Sequence, residues 1–212
     1  CGLKACRIAI GSSSMPAMSS SIFSGQKSAA SIISRKCGDR IARSNAPRLD
    51  DGVVKIEILA VGRLKDGPER ELVSRYVTRA RDMGRSLAVT GFDVVEFSES
   101  RAGRPQDRKS EEAQMIRQRL SDTTFIALDS KGQSIDSEGM TKKIETLRDS
   151  GTRSLSFVIG GADGIDPTLV KDAQSVIAFG AVTLPHQLAR IILAEQLYRS
   201  MTLMSGHPYH RA

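Results

Sequence analysis

The chain has 212 residues, of which 40% are hydrophobic and 26% are charged, and its formal net charge is +7. A chain of this size can bury a core of its own, so one folded domain with an appendage is expected. No apolar run approaches the roughly 18 residues that a membrane-spanning helix needs, so no membrane partner is expected. The positive charge lies mostly at one end, because residues 1–50 carry eight Lys and Arg side chains and only two acidic ones. The nearly neutral remainder does not by itself indicate nucleic-acid binding.

Residues 1–52 differ in composition from the rest of the chain. They are rich in Ser, hold no acidic residue before Asp39, and contain all three cysteines, Cys1, Cys6 and Cys37. The cysteine spacing fits no metal site. Three interpretations remain open: a targeting segment, a disordered arm that touches RNA, or translated sequence upstream of the true start. We favour the last, because the chain begins at Cys1, and we expect the folded domain to comprise residues 53–212.

Strand and helix signals alternate from Val53 onward. The predicted strands are Val54–Val61, Asp93–Ser98, Phe125–Asp129, Leu155–Ile159 and the apolar run Val176–Leu184, which Gly180 interrupts. The predicted helices begin at Pro68, after the charged loop Ser100–Lys109, after a Lys131-Gly132 turn, at Pro167, and after Pro185. In the last helix, one side is predicted to carry Leu188, Ile191, Ile192, Glu195, Tyr198 and Met201. This alternation indicates βαβ units, and therefore an α/β fold with a mainly parallel sheet flanked by helices.

Three of the predicted strand ends carry unusual residues, and ligands of open α/β sheets bind at the carboxyl ends of strands. These ends are Leu128-Asp129, Gly160-Gly161, and the segment Phe179–Leu184. Paired glycines let ligand atoms approach the backbone, although such a pair is equally common in a plain strand–helix turn. Neither the dinucleotide fingerprint nor the phosphate-binding loop is present, which disfavours a phosphate-bearing dinucleotide.

The last 27 residues hold most of the reactive side chains, including all three histidines, His186, His207 and His210. Glu195 falls on the apolar side of its predicted helix, so its carboxylate needs a partner; a structural pairing with Arg199 and a role in a site are equally plausible. His186 follows a proline, where a hydrogen bond at a helix start is commoner than a role as a base. The polar tail suggests docking onto something, because chain ends otherwise fray.

Several of these segments resemble the ribosomal large-subunit methyltransferase H family. The similar segments are Lys55–Gly62, Val158–Gly164, Leu184-Pro185-His186, Leu197-Tyr198-Arg199 and His207–Arg211. The resemblance runs from about Val53 to Arg211 and leaves out residues 1–52. It implies a knotted fold with a C-terminal trefoil knot, S-adenosyl-L-methionine as cofactor, and a cytoplasmic homodimer in which the tail of one subunit completes the other's site. It further implies methylation of N3 of a pseudouridine in large-subunit (23S) rRNA within assembled ribosomes.

The resemblance also assigns roles to individual residues. The cofactor is expected to contact Leu128, Gly160, Gly161, Phe179, Gly180, Ala181, Val182, Thr183 and Leu184. A base must take the N3 proton, and a histidine suits that task near neutral pH, with His210 expected first and His186 second. Arg190 and Arg211 are also expected to be catalytic, holding phosphate or stabilising negative charge that develops on the base. The expected substrate-binding residues are Tyr209, stacked on a base, with Arg199 and Glu195. No metal ligand is expected.

Two other functions stay open at this point. A knotted methyltransferase can act on tRNA, and a protein of the same fold can bind a small molecule or the ribosome without turnover. The reactive tail argues against the second, because a binding scaffold has no need of a terminal His-Arg pair.

Overall fold

The computed structural model describes residues 52–121 and 123–209. The predicted extension, residues 1–52, therefore lies outside the described residues except for Gly52. The same is true of His210 and Arg211, whose predicted roles cannot be placed on the fold.

Five strands and five α-helices alternate along the described chain. The strands are β1 (Val54–Val61), β2 (Val89–Phe97), β3 (Thr124–Ser134), β4 (Ser154–Ile159) and β5 (Ser175–Ala178). The helices are α1 (Pro68–Gly84), α2 (Pro105–Leu120), α3 (Ser137–Asp149), α4 (Pro167–Asp172) and α5 (His186–Met204), with a short 3-10 helix at Arg85–Leu87. The strands form one sheet in the order β2-β1-β4-β3-β5, and each neighbouring pair is parallel. The prediction of an α/β fold with a parallel sheet is confirmed.

Each face of the sheet carries its own core, because alternate side chains of a strand point to opposite faces. Ile56, Ile58 and Ala60 of β1 pack with residues of α1, α3 and α5 on one face. Leu59 and Val61 pack with residues of α2 and α4 on the other. Among the residues that the structure describes, no helix is both long and apolar enough to cross a membrane.

Local sequence explains where most helices begin. Helices α1, α2 and α4 each have proline in the first turn, where its fixed φ suits the helix and its missing N–H is not needed. Asp136 and Asp166 cap α3 and α4, and their carboxylates accept hydrogen bonds from the backbone N–H groups of Gly139 and Thr168.

Two predicted boundaries in the first half of the chain are wrong. Strand β2 begins at Val89 rather than Asp93, because a bulge at Phe92 interrupts the alternation that the prediction used. Phe92 has φ of 60° and is fully buried. Helix α2 begins at Pro105, so half of the segment predicted as a loop to Lys109 is helical.

Three predictions in the second half also need correction. The Lys131-Gly132 turn is part of β3, which continues to Ser134 and pairs again with β5 after an irregularity. A Cβ at Gly132 would lie 2.7 Å from the carbonyl carbon of Ile177, so only glycine permits this close approach. Strand β5 ends at Ala178, short of the predicted run to Leu184. The predicted inner side of α5 is wrong at Leu188, which is 46% exposed; buried apolar residues occur on several sides of this helix.

Candidate functional site

The three predicted strand ends meet at one cleft of about 720 Å³. They meet because β4, β3 and β5 are neighbouring parallel strands, whose carboxyl ends lie at the same edge of the sheet. The predicted cofactor residues that line the cleft are Leu128, Gly160, Gly161, Phe179, Gly180, Val182, Thr183 and Leu184. Ala181 is exposed and does not line it. The cleft also has Asp129, Lys131 and His186 in its wall.

Contacts within the chain explain the two glycines that follow β4. A Cβ at Gly160 would lie 2.7 Å from Cγ1 of Ile165, and a Cβ at Gly161 would lie 3.0 Å from Cγ1 of Val61. Packing therefore requires glycine at Gly160 and favours it at Gly161, whether or not a ligand approaches them. Gly180 differs, because nothing lies within 4 Å of its Cβ position and its φ of +98° is the reason for glycine there.

His186 is the first residue of α5 and lies at the junction of the cleft with the ends of β1 and β2. Its Nε2 lies 3.9 Å from Oε1 of Glu99, and its side chain is 22% exposed. Both groups border Gly62, where a Cβ would lie 2.9 Å from Glu99 Oε1 and 3.1 Å from His186 Nε2. Gly62 therefore provides the space in which the imidazole and the carboxylate come together.

Arg190 is completely buried, and its guanidinium ties α5 to two strand ends. It forms an ion pair with Glu96, and its Nη2 donates to the carbonyl oxygen of Gly62 at 2.8 Å. Burial lowers the pKa of Arg190, an effect that Glu96 opposes. The side chain does not line the cleft, so these contacts hold the fold together, and its predicted contact with phosphate or base stays a prediction.

Glu195, Arg199 and Tyr209 form a second cluster, near the other end of α5. The Glu195 carboxylate accepts hydrogen bonds from Arg199 Nε at 3.0 Å and from the Tyr209 hydroxyl at 3.3 Å. The Tyr209 ring packs against Tyr198, with the ring centroids 4.8 Å apart, and lies 5.2 Å from the Arg199 guanidinium carbon. Burial, together with the Glu195 charge, raises the pKa of Tyr209.

The structure does not bring the two groups of predicted residues together within one chain. His186 and Arg199 are 13 positions apart on one helix, which separates them by about 20 Å at 1.5 Å per residue. The cleft, with His186, lies at the start of α5, and the tail cluster lies near its end.

Sequence reasoning missed Glu96, Glu99 and Arg108. Glu99 and Arg108 lie beside or within the predicted charged loop, and each acts on a partner far along the chain. No local pattern marks such a partner, and only the folded chain brings each pair together.

The cleft fits a nucleoside with a short charged chain. Its volume lies within the range of about 300–1,000 Å³ that small-molecule sites occupy. Apolar side chains, such as Leu128, Ile159 and Leu184, line it together with charged groups, Asp129 and Lys131. S-adenosylmethionine has this combination of an aromatic base and a charged amino-acid end. In residues 52–121 and 123–209, no three His, Cys, Asp or Glu side chains are arranged to hold a metal ion.

Comparisons with known proteins show the family of the chain. A family model described as "Predicted SPOUT methyltransferase" matches residues 54–210. Ribosomal RNA large subunit methyltransferase H of Rhizobium meliloti (strain 1021) is 48% identical over 160 residues, which cover 75% of this chain and all of that protein. The protein of the same name from Rhodopseudomonas palustris (strain BisB18) is 47% identical over the same shares. A solved structure of a probable methyltransferase from Bordetella pertussis Tohama I aligns with a TM-score of 0.41 and 12% identity, over 72% of this chain and 98% of that one, which is too distant to carry an argument. The chain belongs to the SPOUT methyltransferases, within the ribosomal RNA large subunit methyltransferase H family.

Proposed function

We propose that the protein uses S-adenosylmethionine to methylate N3 of a pseudouridine in large-subunit rRNA, acting on assembled ribosomes. The observation that carries the proposal is the cleft at the ends of β4, β3 and β5, built from residues in family-like segments. Relatives that match over their whole length at 47–48% identity are named for a large-subunit rRNA methyltransferase. Since the proposed substrate is the ribosome, we expect the protein to act in the cytoplasm.

Cofactor binding in this proposal falls to the strand ends. In this proposal Leu128 and Leu184, which line the cleft, contact the adenine face, and backbone groups of the Phe179–Leu184 segment select the base. The cofactor supplies a methyl group on a sulfonium, which is already reactive. The protein therefore mainly has to align the methyl group and the base nitrogen and to exclude water between them.

A proton acceptor for the N3 proton is the other requirement. His186 lies in the cleft wall and is the candidate within the described chain. From the sequence, His210 remains the first candidate for this base. Its neighbour Arg211 is the candidate that stabilises negative charge on the pseudouridine base. Arg190 acts in this proposal as a positioning residue, since its contacts with Glu96 and Gly62 fix the start of α5, where His186 lies.

The proposal includes a homodimer, and the separation of the two groups of residues supports it. His186 in the cleft wall and Arg199 in the tail cluster lie about 20 Å apart along α5, and in this proposal the tail of a second subunit completes each cleft. Two exposed apolar side chains, Val182 and Leu188, lie beside the cleft, where a partner would cover them. In the proposed dimer, Tyr209, Arg199 and Glu195 of one subunit approach the RNA bound at the other.

The proposed trefoil knot concerns the path between β5 and α5. Strand β5 is an edge of the sheet beside β3, whereas α5 begins beside the ends of β1 and β2. The segment 179–185 therefore crosses the carboxyl ends of the strands between them. Such a crossing supports a knot, and an experimental structure with a continuous trace through residues 124–204 would test it.

We also propose that the methyltransferase domain comprises residues 53–212. The relatives match this chain over 160 residues without an extension, which supports the proposal. A protein that starts at Val53 should bind the cofactor as the full chain does; loss of binding would contradict this.

Methyl transfer from radiolabelled S-adenosylmethionine tests the function. Purified protein is incubated with ribosomes from a strain that lacks the modification, and the labelled nucleotide is mapped. Label at N3 of a large-subunit pseudouridine is expected, with little label on naked rRNA. A Gly180→Val variant is the negative control, because a β-branched residue is strained at the φ of +98° that this cleft position has. Label on tRNA would replace the proposed substrate, and donor binding without transfer to any RNA would indicate a non-catalytic protein.

A further inference from the structure

Arg108, on the second turn of α2, connects two loops with one side chain. Its Nε donates to Asp163 Oδ2 at 2.6 Å and its Nη2 donates to Asp163 Oδ1 at 3.1 Å. Its remaining nitrogen, Nη1, donates to the carbonyl oxygens of Ala102 at 3.0 Å and Gly103 at 3.2 Å. Such a bidentate ion pair fixes the orientation of the two side chains as well as the distance between them. The Arg108 side chain is 26% exposed and that of Asp163 is 27% exposed, so solvent screens the pair only in part.

The first of these loops is the turn Gly161–Gly164, which forms part of the cleft wall. The N–H of Gly164 donates to the carbonyl oxygen of Gly161 at 3.0 Å, and Gly164 has φ of +84°. Gly161 and Gly164 thus form an isolated antiparallel bridge, and Arg108 holds Asp163 from outside the turn. Arg108 therefore helps to fix the position of this wall, together with the packing of Gly160 against Ile165 and of Gly161 against Val61.

The second loop, residues 98–104, joins β2 to α2. Helix α2 holds it at two points one turn apart, since Glu112 Oε1 accepts a hydrogen bond from the N–H of Ser100 at 3.1 Å. Glu112 is buried and also lies beneath Gly161, where a Cβ would be 3.2 Å from its Oε2. One face of α2 thus supports both the loop and the turn.

We propose that Arg108 is a positioning residue for the cofactor site: through Asp163 it fixes the Gly161–Gly164 turn, and it makes cofactor affinity depend on the loop of residues 98–104. The inference rests on the proposed binding of S-adenosylmethionine in this cleft. It assigns no contact between Arg108 and the cofactor, because the Arg108 side chain does not line the cleft.

The chain offers a matched control on the same helix. Arg117 pairs with Asp172 and donates from Nη2 to Thr168 Oγ1 at 3.2 Å. This pair likewise joins α2 to the α4 region, but it lies nine residues further along, about 14 Å at 1.5 Å per residue. Neither Arg117 nor Asp172 lines the cleft.

The test compares Arg108→Gln with Arg117→Gln in the full chain. Calorimetry with S-adenosylmethionine measures the Kd, and hydrogen exchange of peptides that cover residues 100–104 and 160–165 measures the mobility of the two loops. Arg108→Gln is expected to raise the Kd by about 3- to 30-fold, the range that indirect coupling produces, and to speed exchange in both peptides. Arg117→Gln is expected to change neither, and Arg108→Lys, which keeps the charge, to recover part of the affinity.

An unchanged Kd together with unchanged exchange in Arg108→Gln would overturn the inference, as would equal effects of the two glutamine variants. If Arg108→Gln does not fold, Asp163→Asn tests the same contact from the other side. Failure of the wild-type protein to bind S-adenosylmethionine would contradict the proposed function, and the exchange measurement would still decide whether Arg108 fixes the turn.

Discussion

Arg190 and Glu96 join the start of α5 to the end of β2, with the guanidinium completely buried and the carboxylate side chain 21% exposed. The pair holds three pieces of chain at one point, because Glu96 also accepts from the N–H of Leu64 and Arg190 also donates to the carbonyl of Gly62. Because Arg190 lies one helical turn after His186, the Arg190–Glu96 pair also fixes the part of α5 that carries His186.

Removal of Glu96 should strongly destabilise the fold. Glu96→Ala leaves the Arg190 charge buried without a carboxylate, which typically costs about 3–5 kcal/mol. We expect a loss of about 3 kcal/mol in the free energy of unfolding, measured by urea denaturation. The control is Asp107→Ala, which breaks the exposed Arg104–Asp107 pair and should cost less than about 1 kcal/mol. Equal losses in the two variants would contradict the assignment.

Alanine at Gly62 should impair catalysis beyond its effect on stability. Gly62 and Gly151 both have left-handed backbone, with φ of +88° and +80°, but only Gly62 has side chains within reach of a Cβ. Each alanine should cost about 1 kcal/mol of stability through backbone strain. Only Gly62→Ala displaces Glu99 and His186, so methylation should fall in that variant and not in Gly151→Ala. Unfolding and methyl-transfer measurements on the same variants separate the two effects. Equal methyl-transfer activity in both variants would contradict a catalytic role for the Glu99–His186 contact.

Glu112 gives the stability of the protein a dependence on pH. Burial raises the pKa of its carboxyl, against the hydrogen bond from Ser100. At pH values between the pKa of this carboxyl in the unfolded state and its higher pKa in the folded state, the folded protein therefore binds more protons than the unfolded protein. Stability contributed by this group is present at low pH and is lost as the pH rises through that window. Glu112→Gln removes the charge, so it should be more stable than wild type at pH 7 and lose this advantage at acidic pH, as measured by urea denaturation at both values. A disadvantage at pH 7 would contradict the sign.

Complementation tests the proposed dimer. Gly180→Val disables the cleft and His210→Ala disables the tail, and each variant alone should methylate poorly. A mixture refolded together should regain part of the activity, because mixed dimers contain one cleft and one tail that are both intact. No recovery, with mixed dimers shown to form, would mean that each subunit uses its own tail.

Local patterns predict most of the elements but not their contacts. The apolar run Val54–Val61 predicts β1 with its observed bounds, and Pro68 predicts the first residue of α1. The bulge at Phe92 and the continuation of β3 past Gly132 are tertiary features, because each depends on a neighbouring segment. A glycine in the sequence indicates that the backbone has conformational freedom at that position. It does not show which neighbouring segment packs against that backbone.

The candidate cleft was predictable from local sequence patterns, but the ion pairs around it were not. The residues at the ends of strands are visible in the sequence, and parallel strands bring such ends to one edge. The partners of Arg190 and Arg108 are not visible, since Glu96 and Asp163 lie 94 and 55 positions away. Arg190 illustrates the difference: its position in the helix is predictable, and its complete burial is not.

Strand β1 has a consequence for the synthesis of the protein. Among the strands that the structure describes, it is the first to leave the ribosome, and its apolar side chains are buried on both faces in the finished fold. Its partner on one side, β2, follows soon, but its partner on the other side, β4, begins only at Ser154. Until then one edge of a hydrophobic strand has open N–H and C=O groups, which can pair with another nascent chain. Slow translation between Leu120 and Ser154 would prolong this state, and the protein is therefore expected to need chaperone protection early in its synthesis rather than after its release.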